Sequence, residues 1–335
     1  MAKGIKFLGT GSYVPDFIVT NDMFAEFLET SDEWISTRTG IKSRPINTDK
    51  PNYYMGVQAA KKAIEQSEIS PLDIGLIIVT TVNPDFYFPS MSCLIQHNIG
   101  ADNAMAIDVN AACTGFIYGV DMARRYLYTD DIDYVLVVSS EMLSNQVNYA
   151  DRSTAVLFGD GAAATIIARD ENKLYSSFLG AKGEDGTLLS CRVKYVNTSP
   201  YKNEEAIEEF LGDKFKDINP DFIHMNGREV YKFAVDALPN SVSKACEKVG
   251  ISPDDIDVLI PHQANLRIIE KAVSNLKIPM EKVFVNLEKH GNTSSASIPT
   301  CLDEMNRKGL LKENQKLCFV GFGGGFTYGA VIVEL

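Results

Sequence analysis

The sequence has few of the side chains that bind metal ions or form disulfides. Its 335 residues include only four histidines, with no HExxH pair, and six cysteines, with no CxxC pair. Structural zinc sites and small disulfide-stabilised domains both need such paired ligands. We therefore expect no metal site, and we expect thiols that stay reduced, as they do in the cytoplasm.

Long apolar runs and excess positive charge are also absent. No stretch approaches the roughly 18 apolar residues that a membrane helix requires, and the first residues turn polar too soon for a signal peptide. The net charge of −12 argues against general binding of nucleic acid, which needs a basic surface. The sequence therefore predicts a cytoplasmic protein that has neither a membrane nor a nucleic acid as its partner.

Apolar residues make up 45% of the chain, enough for the core of more than one domain. Residues 74–81 form a near-continuous apolar run, which is typical of a strand buried on both faces. Apolar spacing predicts a helix over 53–68. Residues 30–41, which contain the single tryptophan, are predicted to form a loop. The polar segment 183–222 is predicted to be an insertion with a short helix at 203–211.

The second half of the chain repeats the first. The segment Ile-Ser-Pro-Leu-Asp-Ile at 69–74 returns as Ile-Ser-Pro-Asp-Asp-Ile at 251–256, an offset of 182 residues. Two further pairs of segments match in predicted structure at the same offset: 110–114 with 292–296, and 136–140 with 318–322. Several matches at one offset indicate an internal repeat.

The repeat determines the predicted architecture. Alternating strands and helices predict an α/β fold with mainly parallel sheets that are covered by helices. We expect an N-terminal half over 1–172 and a C-terminal half over 173–335, related by a pseudo-twofold axis. Equivalent loops of the two halves would then meet at the centre of the molecule.

Cys113 lies where a predicted strand turns into a predicted helix. Unpaired N–H groups and the helix dipole favour a thiolate there, and the thiolate is the nucleophilic form of cysteine. In the repeat, the loop of Asn292 would face Cys113, and Ser295 occupies the position equivalent to Cys113. The alternative is an inert cysteine buried at the start of a helix. The sequence therefore offers Cys113 as a candidate nucleophile.

Three features of the second half are further candidates for a site. His262 follows a buried strand, and its alternative role is to cap the next helix. Asn292 is also a good candidate for a helix N-cap. The glycine-rich segment 321–329 is either a tight turn or a segment that exposes backbone N–H groups to an oxyanion. Glycine permits the second role because it lets the chain approach a ligand closely.

Four motifs combine in this chain: Ala-Ala-Cys-Thr-Gly-Phe at 111–116, Pro-His-Gln-Ala-Asn-Leu-Arg-Ile at 261–268, His-Gly-Asn-Thr-Ser-Ser-Ala-Ser at 290–297, and Gly-Phe-Gly-Gly-Gly-Phe at 321–326. Together they resemble β-ketoacyl-[acyl-carrier-protein] synthase III, and the resemblance runs nearly end to end. It implies a thiolase-type fold, a homodimer, and the condensation of a short acyl-CoA with malonyl-[acyl carrier protein] that starts fatty-acid synthesis. The implied products are 3-oxoacyl-[acyl carrier protein], CoA and CO2, and no cofactor is implied.

The resemblance implies catalytic roles for three side chains. Cys113 would hold the primer as a thioester, which suits a nucleophilic cysteine. His262 and Asn292 would donate hydrogen bonds to the malonyl thioester carbonyl while an enolate develops there. The backbone N–H groups of Cys113 and Gly324 would receive the oxyanion that forms on the acyl-cysteine. Loss of CO2 creates the carbanion, so neither a general base nor a metal ion is required.

The resemblance also implies contacts to the acyl-CoA. Trp34 and Arg152 would hold the adenine between an aromatic face and a planar cation, and their alternatives are core packing and a solvated charge. Phe88 matches a position that enters the acyl pocket of the partner subunit, where its ring would favour a short primer. The other implied contacts are Arg38 to CoA, Asn265 to pantetheine, and Gly227, Tyr231 and Phe322 to the substrate.

A basic patch is predicted on this acidic protein. Arg267 and Lys271 lie four residues apart on a predicted helix and therefore share a face. With Lys232 they would form a surface that attracts the strongly acidic acyl carrier protein. The alternative is a solvated helix face without a partner.

The chain departs from the family pattern at Ser295, where alanine is usual, and at Tyr328, where tryptophan is usual. Neither change removes a catalytic group, and the choice of primer stays open. A related alternative is an enzyme of the same fold in specialised lipid, quinolone or polyketide metabolism. A papain-like cysteine protease is a more distant alternative, since His262 follows Cys113 by 149 residues. The residues that surround the nucleophile in such proteases are missing here.

Overall fold

A computed structural model describes residues 4–129, 131–192, 199–201, 203, 205–206, 209, 212, 218–219 and 221–335. The predicted short helix at 203–211 lies largely outside these residues. The strands are β1 Gly4–Tyr13, β2 Ile18–Thr20, β3 Ser43–Pro45, β4 Ile74–Thr80, β5 Met105–Val109, β6 Tyr134–Met142, β7 Asp160–Asp170, β8 Tyr175–Ala181, β9 Leu189–Ser190, β10 His224–Met225, β11 Val258–Pro261, β12 Lys316–Gly323 and β13 Thr327–Glu334. The helices are α1 Asn21–Ala25, α2 Asp32–Thr39, α3 Asn52–Ser67, α4 Met91–Ile99, α5 Gly115–Thr129, α6 Arg152–Ala155, α7 Gly227–Glu247, α8 Leu266–Leu276, α9 Leu287–His290 and α10 Ser297–Arg307.

Two mixed sheets form the body of the molecule, and the four strands of the second repeat the arrangement of β4, β6, β7 and β1 in the first. The first has the strand order β1-β7-β6-β4-β5, and the second has the order β11-β12-β13-β8. In the first sheet β4 pairs in parallel with β5 and β6, while β7 pairs antiparallel with β6 and β1. In the second sheet β11 and β12 are parallel, and β13 is antiparallel to β12 and β8. The predicted boundary between 172 and 173 lies in the turn that joins β7 to β8.

The sheets and helices stack in five layers. Helices α5 and α10 lie between the two sheets, in a core that includes the fully buried Phe116, Ile298 and Phe319. Helices α3 and α4 cover the outer face of the first sheet, and α7 and α8 cover that of the second. Within β4, Ile77 faces the outer layer and Ile78 faces the central one, so both faces are buried. This explains the near-continuous apolar run in the sequence.

The two loops expected to meet at the centre have matching backbones. Ala112 has φ of 48° and begins the 3₁₀ turn that precedes α5. Ser294 has φ of 49° and begins the 3₁₀ turn that precedes α10. The two turns lie against each other, since a Cβ placed on Gly115 would be 3.0 Å from the Cβ of Ser295. The repeat therefore places the loop of Asn292 beside the loop of Cys113.

The loop predicted over 30–41 is wrong, because most of it is helix α2. The side chain of Ser31 caps this helix by accepting a hydrogen bond from the N–H of Trp34 at 3.1 Å. Gly40, with φ of 79°, ends it in the left-handed conformation. Only Ile35 and Thr39 of the helix are buried, so apolar spacing carries almost no signal here.

Candidate active site

A single cavity of about 1120 Å³ lies between the two halves and contains the predicted catalytic residues. Cys113 from the first half lines it together with His262 and Asn292 from the second. The size is that of a pocket for a cofactor-sized ligand. Of the predicted binding residues, these also line it: Trp34, Arg38, Arg152, Gly227, Tyr231, Asn265, Phe322 and Gly324.

Cys113 lies in the 3₁₀ turn Ala112–Thr114, between the end of β5 and the start of α5. The hydroxyl of Thr114 donates to the carbonyl of Ala111 at 2.6 Å and fixes the turn. A Cβ at Gly323 would lie only 2.6 Å from the backbone nitrogen of Cys113, so the glycine is required for β12 to pass behind the nucleophile. The turn thus holds the sulfur at the cavity wall.

The surroundings of Cys113 disfavour its thiolate form. Burial raises its pKa to about 12, and the nearby Glu141 carboxylate acts in the same direction. A hydrogen bond with the Ser294 side chain and one with its own backbone lower the pKa, but they do not compensate for burial. This direction is opposite to the lowered pKa that the start of a helix favours. Removal of the proton during acyl transfer needs an acceptor.

His262 is 1% exposed and lies directly after β11. Burial lowers its pKa to about 3, so the imidazole is neutral at physiological pH. Its Nδ1 is 2.8 Å from the hydroxyl of Ser297, which itself accepts a hydrogen bond from the N–H of Gln263. With the Ser297 hydroxyl donating to Nδ1, the imidazole proton lies on Nε2, where it is available to a ligand. The ring packs edge-on against Phe322.

Asn292 is held by its backbone and by one end of its side chain. Its N–H donates to the carbonyl of Leu157 at 2.8 Å, and its carbonyl accepts from the N–H of Gly159 at 3.0 Å. Its Oδ1 accepts from the N–H of Ser294 at 2.9 Å, which is the cap-like role expected as the alternative. Since Nδ2 makes no hydrogen bond within the described part of the chain, the amide is oriented to donate into the cavity.

The mouth of the cavity carries stacked aromatic and cationic groups. The guanidinium of Arg38 lies 4.5 Å from the centre of the Trp34 ring, and that of Arg152 lies 4.8 Å from it. An adenine between two such groups needs about 7 Å, twice the van der Waals contact distance. Arg152 therefore has to move before an adenine can enter between it and Trp34. Its Nη1 donates to the carbonyl of Glu29 at 2.6 Å, a contact that would then break.

Asn265 and Arg267 connect α8 to α2. The side chain of Asn265 caps α8, and its Nδ2 donates to the carbonyl of Arg38 at 3.0 Å. Arg267 donates from Nε to the carbonyl of Thr37 at 3.0 Å. Arg267 and Lys271 are both exposed on α8, and Lys232 is exposed on α7, where it pairs with Glu229 at 2.7 Å.

Phe88 does not reach the cavity of its own chain. It is 86% exposed and lies outside the lining residues, whereas its neighbour Tyr87 lines the cavity. Among the described ranges, no cluster of three or more His, Cys, Asp or Glu side chains could hold a metal, and no helix is long and apolar enough to cross a membrane.

Glu141 is a buried residue of the site that the sequence reasoning missed. Its side chain is 0% exposed, at the end of β6, and burial raises its pKa to about 7. It accepts hydrogen bonds from the hydroxyls of Ser294 at 3.0 Å and Ser295 at 2.6 Å, and from the N–H of Val82 at 3.0 Å. In the sequence, the feature that could have indicated Glu141 is its place as a carboxylate directly after the apolar run of a buried strand.

Comparisons with known proteins identify relatives over the full length of the chain. Residues 107–183 match the family model described as 3-oxoacyl-[acyl-carrier-protein (ACP)] synthase III, and residues 246–335 match the model of its C-terminal part. The chain is 46% identical over 333 residues to beta-ketoacyl-[acyl-carrier-protein] synthase III of Clostridium acetobutylicum, with 99% of each chain covered.

Solved structures extend the similarity to the fold. The crystal structure of 3-oxoacyl-[acyl-carrier-protein] synthase III from Aquifex aeolicus has a TM-score of 0.89 and 40% identity, with 99% of this chain and 100% of that chain covered. The priming β-ketosynthase of the R1128 polyketide biosynthetic pathway has a TM-score of 0.88 and 32% identity, with 99% and 96% covered. The predicted thiolase-type α/β fold is confirmed.

Proposed function

The chain belongs to the 3-oxoacyl-[acyl-carrier-protein] synthase III family, and from this premise we propose that it joins a short acyl-CoA to malonyl-[acyl carrier protein]. The products are 3-oxoacyl-[acyl carrier protein], CoA and CO2, and the reaction initiates fatty-acid synthesis. One observation carries the proposal. Cys113, His262 and Asn292 line the same cavity, although they come from different halves of the chain. The papain-like protease alternative is wrong, because family and fold both differ.

In the first half-reaction the sulfur of Cys113 attacks the thioester carbonyl of the acyl-CoA. The new carbon–sulfur bond holds the acyl group on the protein, and CoA leaves with the proton that the thiol gave up. We propose that the N–H groups of Cys113 and Gly324 bind the oxyanion. In support, the backbone of β12 approaches Cys113 so closely that a side chain at position 323 would clash with its nitrogen.

In the second half-reaction the malonyl group loses CO2, and negative charge develops on its thioester oxygen. Nε2–H of His262 and Nδ2 of Asn292 donate hydrogen bonds to that oxygen. The neutral imidazole donates from Nε2 when its Nδ1 accepts from the Ser297 hydroxyl, 2.8 Å away. The carbanion then attacks the acyl group on Cys113. No step calls for a cofactor, and we propose that none is used.

An assay with purified protein tests the proposal. Acetyl-CoA and malonyl-[acyl carrier protein] are mixed with the enzyme, and the acyl carrier protein is weighed by mass spectrometry. We expect 3-oxobutyryl-[acyl carrier protein] together with CoA. The main alternative is a priming enzyme of specialised metabolism, favoured by the similarity to the R1128 ketosynthase. In that case the enzyme would accept an acyl group from acyl-CoA but would leave a fatty-acid carrier protein unchanged.

The exposed cations of α8 support the acyl carrier protein as a partner. We propose that Arg267, Lys271 and Lys232 attract this acidic protein to the side of the cavity where α8 meets α2. Electrostatic attraction of this kind acts mainly on the rate of encounter and is weakened by salt.

Lys271→Glu is expected to raise the KM for malonyl-[acyl carrier protein] by about fivefold to tenfold, since reversing a peripheral charge mainly slows association. The KM for acyl-CoA should not change. Lys61→Glu, the same charge reversal on α3 of the other half, is the matched control and should leave both constants unchanged. Equal effects of the two variants would argue against a docking surface on α8.

An open sheet edge supports the proposed homodimer. Strand β5 is at the edge of the first sheet, its Met105 is 48% exposed, and Phe86 and Phe88 nearby are 51% and 86% exposed. Unpaired strand edges and clustered exposed aromatic side chains are typical of association sites. We propose that two chains pair here and that Phe88 enters the acyl pocket of the partner. The cytoplasmic location stays a prediction.

Phe88→Ala is expected to shift the primer preference towards longer acyl-CoAs, because a cavity wall loses a phenyl ring. Initial rates with acetyl-, butyryl-, hexanoyl- and octanoyl-CoA measure the shift, and the ratio of hexanoyl to acetyl rates should rise by about tenfold, the effect of a few methylenes in an apolar pocket. Phe17→Ala removes another exposed ring, at 47%, and serves as the control. An unchanged chain-length profile would contradict the role of Phe88.

A further inference from the structure

Arg44 is a fully buried cation without a counter-ion. Its side chain is 0% exposed, and it forms no ion pair with any Asp or Glu of the described ranges. Its Nε has no hydrogen-bond partner there either. Burial lowers its pKa to about 10, so the group keeps its charge at neutral pH. An unpaired charge in the interior is costly, and apolar residues of similar size are often more stable. We therefore looked for a task that the contacts of Arg44 could serve.

The guanidinium of Arg44 joins two elements through one nitrogen. Its Nη2 donates to Oδ1 of Asn21 at 2.8 Å and to the carbonyl of Val156 at 2.7 Å. Its Nη1 donates to the carbonyl of Val19 at 3.2 Å, and its carbon Cζ lies 4.8 Å from the centre of the Phe24 ring. Arg44 therefore ties Asn21 to the segment that directly follows α6.

Asn21 in turn holds both ends of helix α2. It is 1% exposed, and its Nδ2 donates at 2.8 Å to Oδ1 of Asp32, the first residue of the helix. The same Nδ2 donates at 2.8 Å to the carbonyl of Ile41, two residues past the end of the helix. Because Oδ1 accepts from Arg44, both hydrogens and the oxygen of the amide are in use. One buried amide thus fixes the place of α2.

The two helices joined in this way carry the groups at the mouth of the cavity. Trp34 lies in the first turn of α2, and Arg152 begins α6, which ends at the residue before Val156. The Arg152 guanidinium lies 4.8 Å from the centre of the Trp34 ring, so its side chain has to move to admit an adenine. The buried hydrogen bonds hold the two backbones in place while that side chain moves.

We propose that Asn21, anchored by Arg44, is a positioning residue that sets the spacing of the site for the nucleotide end of acyl-CoA. This inference rests on the acyl-CoA substrate of the proposed function. Asn21 acts through α2, because contacts of an adenine with Trp34 weaken within a few ångströms of displacement. The reacting thioester is at the far end of the CoA molecule, so its attack by Cys113 should not depend on Asn21.

Asn21→Asp tests the role of the amide. The variant keeps an oxygen for Arg44, removes both N–H donors and places a second carboxylate beside Asp32. The Kd for CoA, measured by isothermal titration calorimetry, is expected to rise by about tenfold, the contribution of one cation–π contact. Quenching of the emission of Trp34, the single tryptophan, by added CoA gives a second measurement of the same Kd.

Asn306→Asp is the matched control for this variant. The Nδ2 of Asn306 also donates two hydrogen bonds, to the hydroxyl of Thr10 and to Oε1 of Gln66, both at 3.0 Å. These three residues lie outside the lining of the cavity. The Kd for CoA should therefore stay within about twofold of its normal value, since a hydrogen bond contributes mainly to local stability.

Asp32→Ala keeps the proposal testable if Asn21→Asp does not fold, because Asp32 is exposed. The variant breaks the contact with Asn21 and should raise the Kd for CoA by about fivefold, the contribution of one hydrogen bond. Glu33→Ala removes the same charge from the same turn of α2. Since no hydrogen bond joins the Glu33 side chain to Asn21 in the described ranges, this control should change the Kd by less than about twofold.

Two acetyl donors distinguish a positioning role from a general loss of structure. Transfer to Cys113 is followed by rapid-quench intact mass with acetyl-CoA and with acetyl-phosphopantetheine, which lacks the nucleotide. In Asn21→Asp the KM for acetyl-CoA should rise by about tenfold, while the rate at saturation and the KM for acetyl-phosphopantetheine stay within about twofold. A rise of both KM values, or a fall in the rate at saturation, would overturn the proposal.

CoA binding requires no turnover, so this inference and the proposed function fail in different ways. If the unchanged protein and the variants of Asn21 and Asp32 bind CoA equally well, the inference is overturned and the proposed function stands. If the variants lose affinity as expected but the unchanged protein condenses no substrates, the proposed function fails and the role of Asn21 stands. If the unchanged protein binds no CoA, both are overturned.

Discussion

Cys113→Ala is expected to lose acyl loading completely and condensation by at least about 10⁴-fold, as is usual when a covalent nucleophile is removed. In the proposed mechanism the sulfur of Cys113 holds the primer between the two half-reactions. Malonyl-[acyl carrier protein] should still lose CO2 slowly, because His262 and Asn292 remain in place. Product formation and CO2 release are measured in parallel by mass spectrometry and with a carbonate-coupled assay.

Cys93→Ala is the control for this variant. Cys93 is an exposed cysteine on α4 that lies outside the cavity, so its removal should leave condensation unchanged. If Cys113→Ala condensed at more than a small fraction of the normal rate while folded, another group would have to carry the acyl chain.

His262→Ala and Asn292→Asp are each expected to slow decarboxylation by about 10² to 10³-fold, the usual loss when one donor to a developing oxyanion is removed. Acyl loading of Cys113 should persist in both variants. Asn292→Asp keeps an oxygen that can accept from the N–H of Ser294 and replaces the N–H donor by a carboxylate oxygen. A loss in this variant therefore reports the missing donor together with the added negative charge, and not a collapsed loop.

The pH dependence gives a second readout for His262. Its pKa is lowered to about 3, so the imidazole stays neutral as the pH falls from 8 to 5. Decarboxylation on acyl-loaded enzyme should consequently be flat over that range. A decline with a midpoint near pH 6.5, the ordinary value for histidine, would mean that His262 is protonated in the working enzyme and that its described environment is wrong.

The sequence predicted those parts of the fold in which local pattern and tertiary environment agree. The apolar run of β4 predicted a strand buried on both faces, and Ile77 and Ile78 do pack against different helical layers. The 182-residue offset predicted that the loops of Cys113 and Asn292 meet, because a pseudo-twofold axis brings equivalent turns together. The helix of Trp34 was missed because it buries too few side chains to show a periodic face.

Two features of the site could not be predicted because they depend on distant residues. Burial raises the pKa of Cys113, and this burial comes from parts of the chain that are distant in sequence. Glu141 accepts from Ser294 and Ser295, which lie more than 150 positions further along the chain. In the sequence it is a single charge after a strand, and only the fold reveals what it contacts.

The central claim is that Cys113 carries the primer before condensation. Its most direct test is intact-mass measurement of the protein after exposure to a panel of acyl-CoAs, with peptide mapping to locate the adduct, followed by addition of malonyl-[acyl carrier protein]. We predict one acyl group on Cys113 for short primers, and loss of that mass as 3-oxoacyl-[acyl carrier protein] appears. Absence of any adduct on Cys113 across the panel, while condensation still proceeds, would contradict the account.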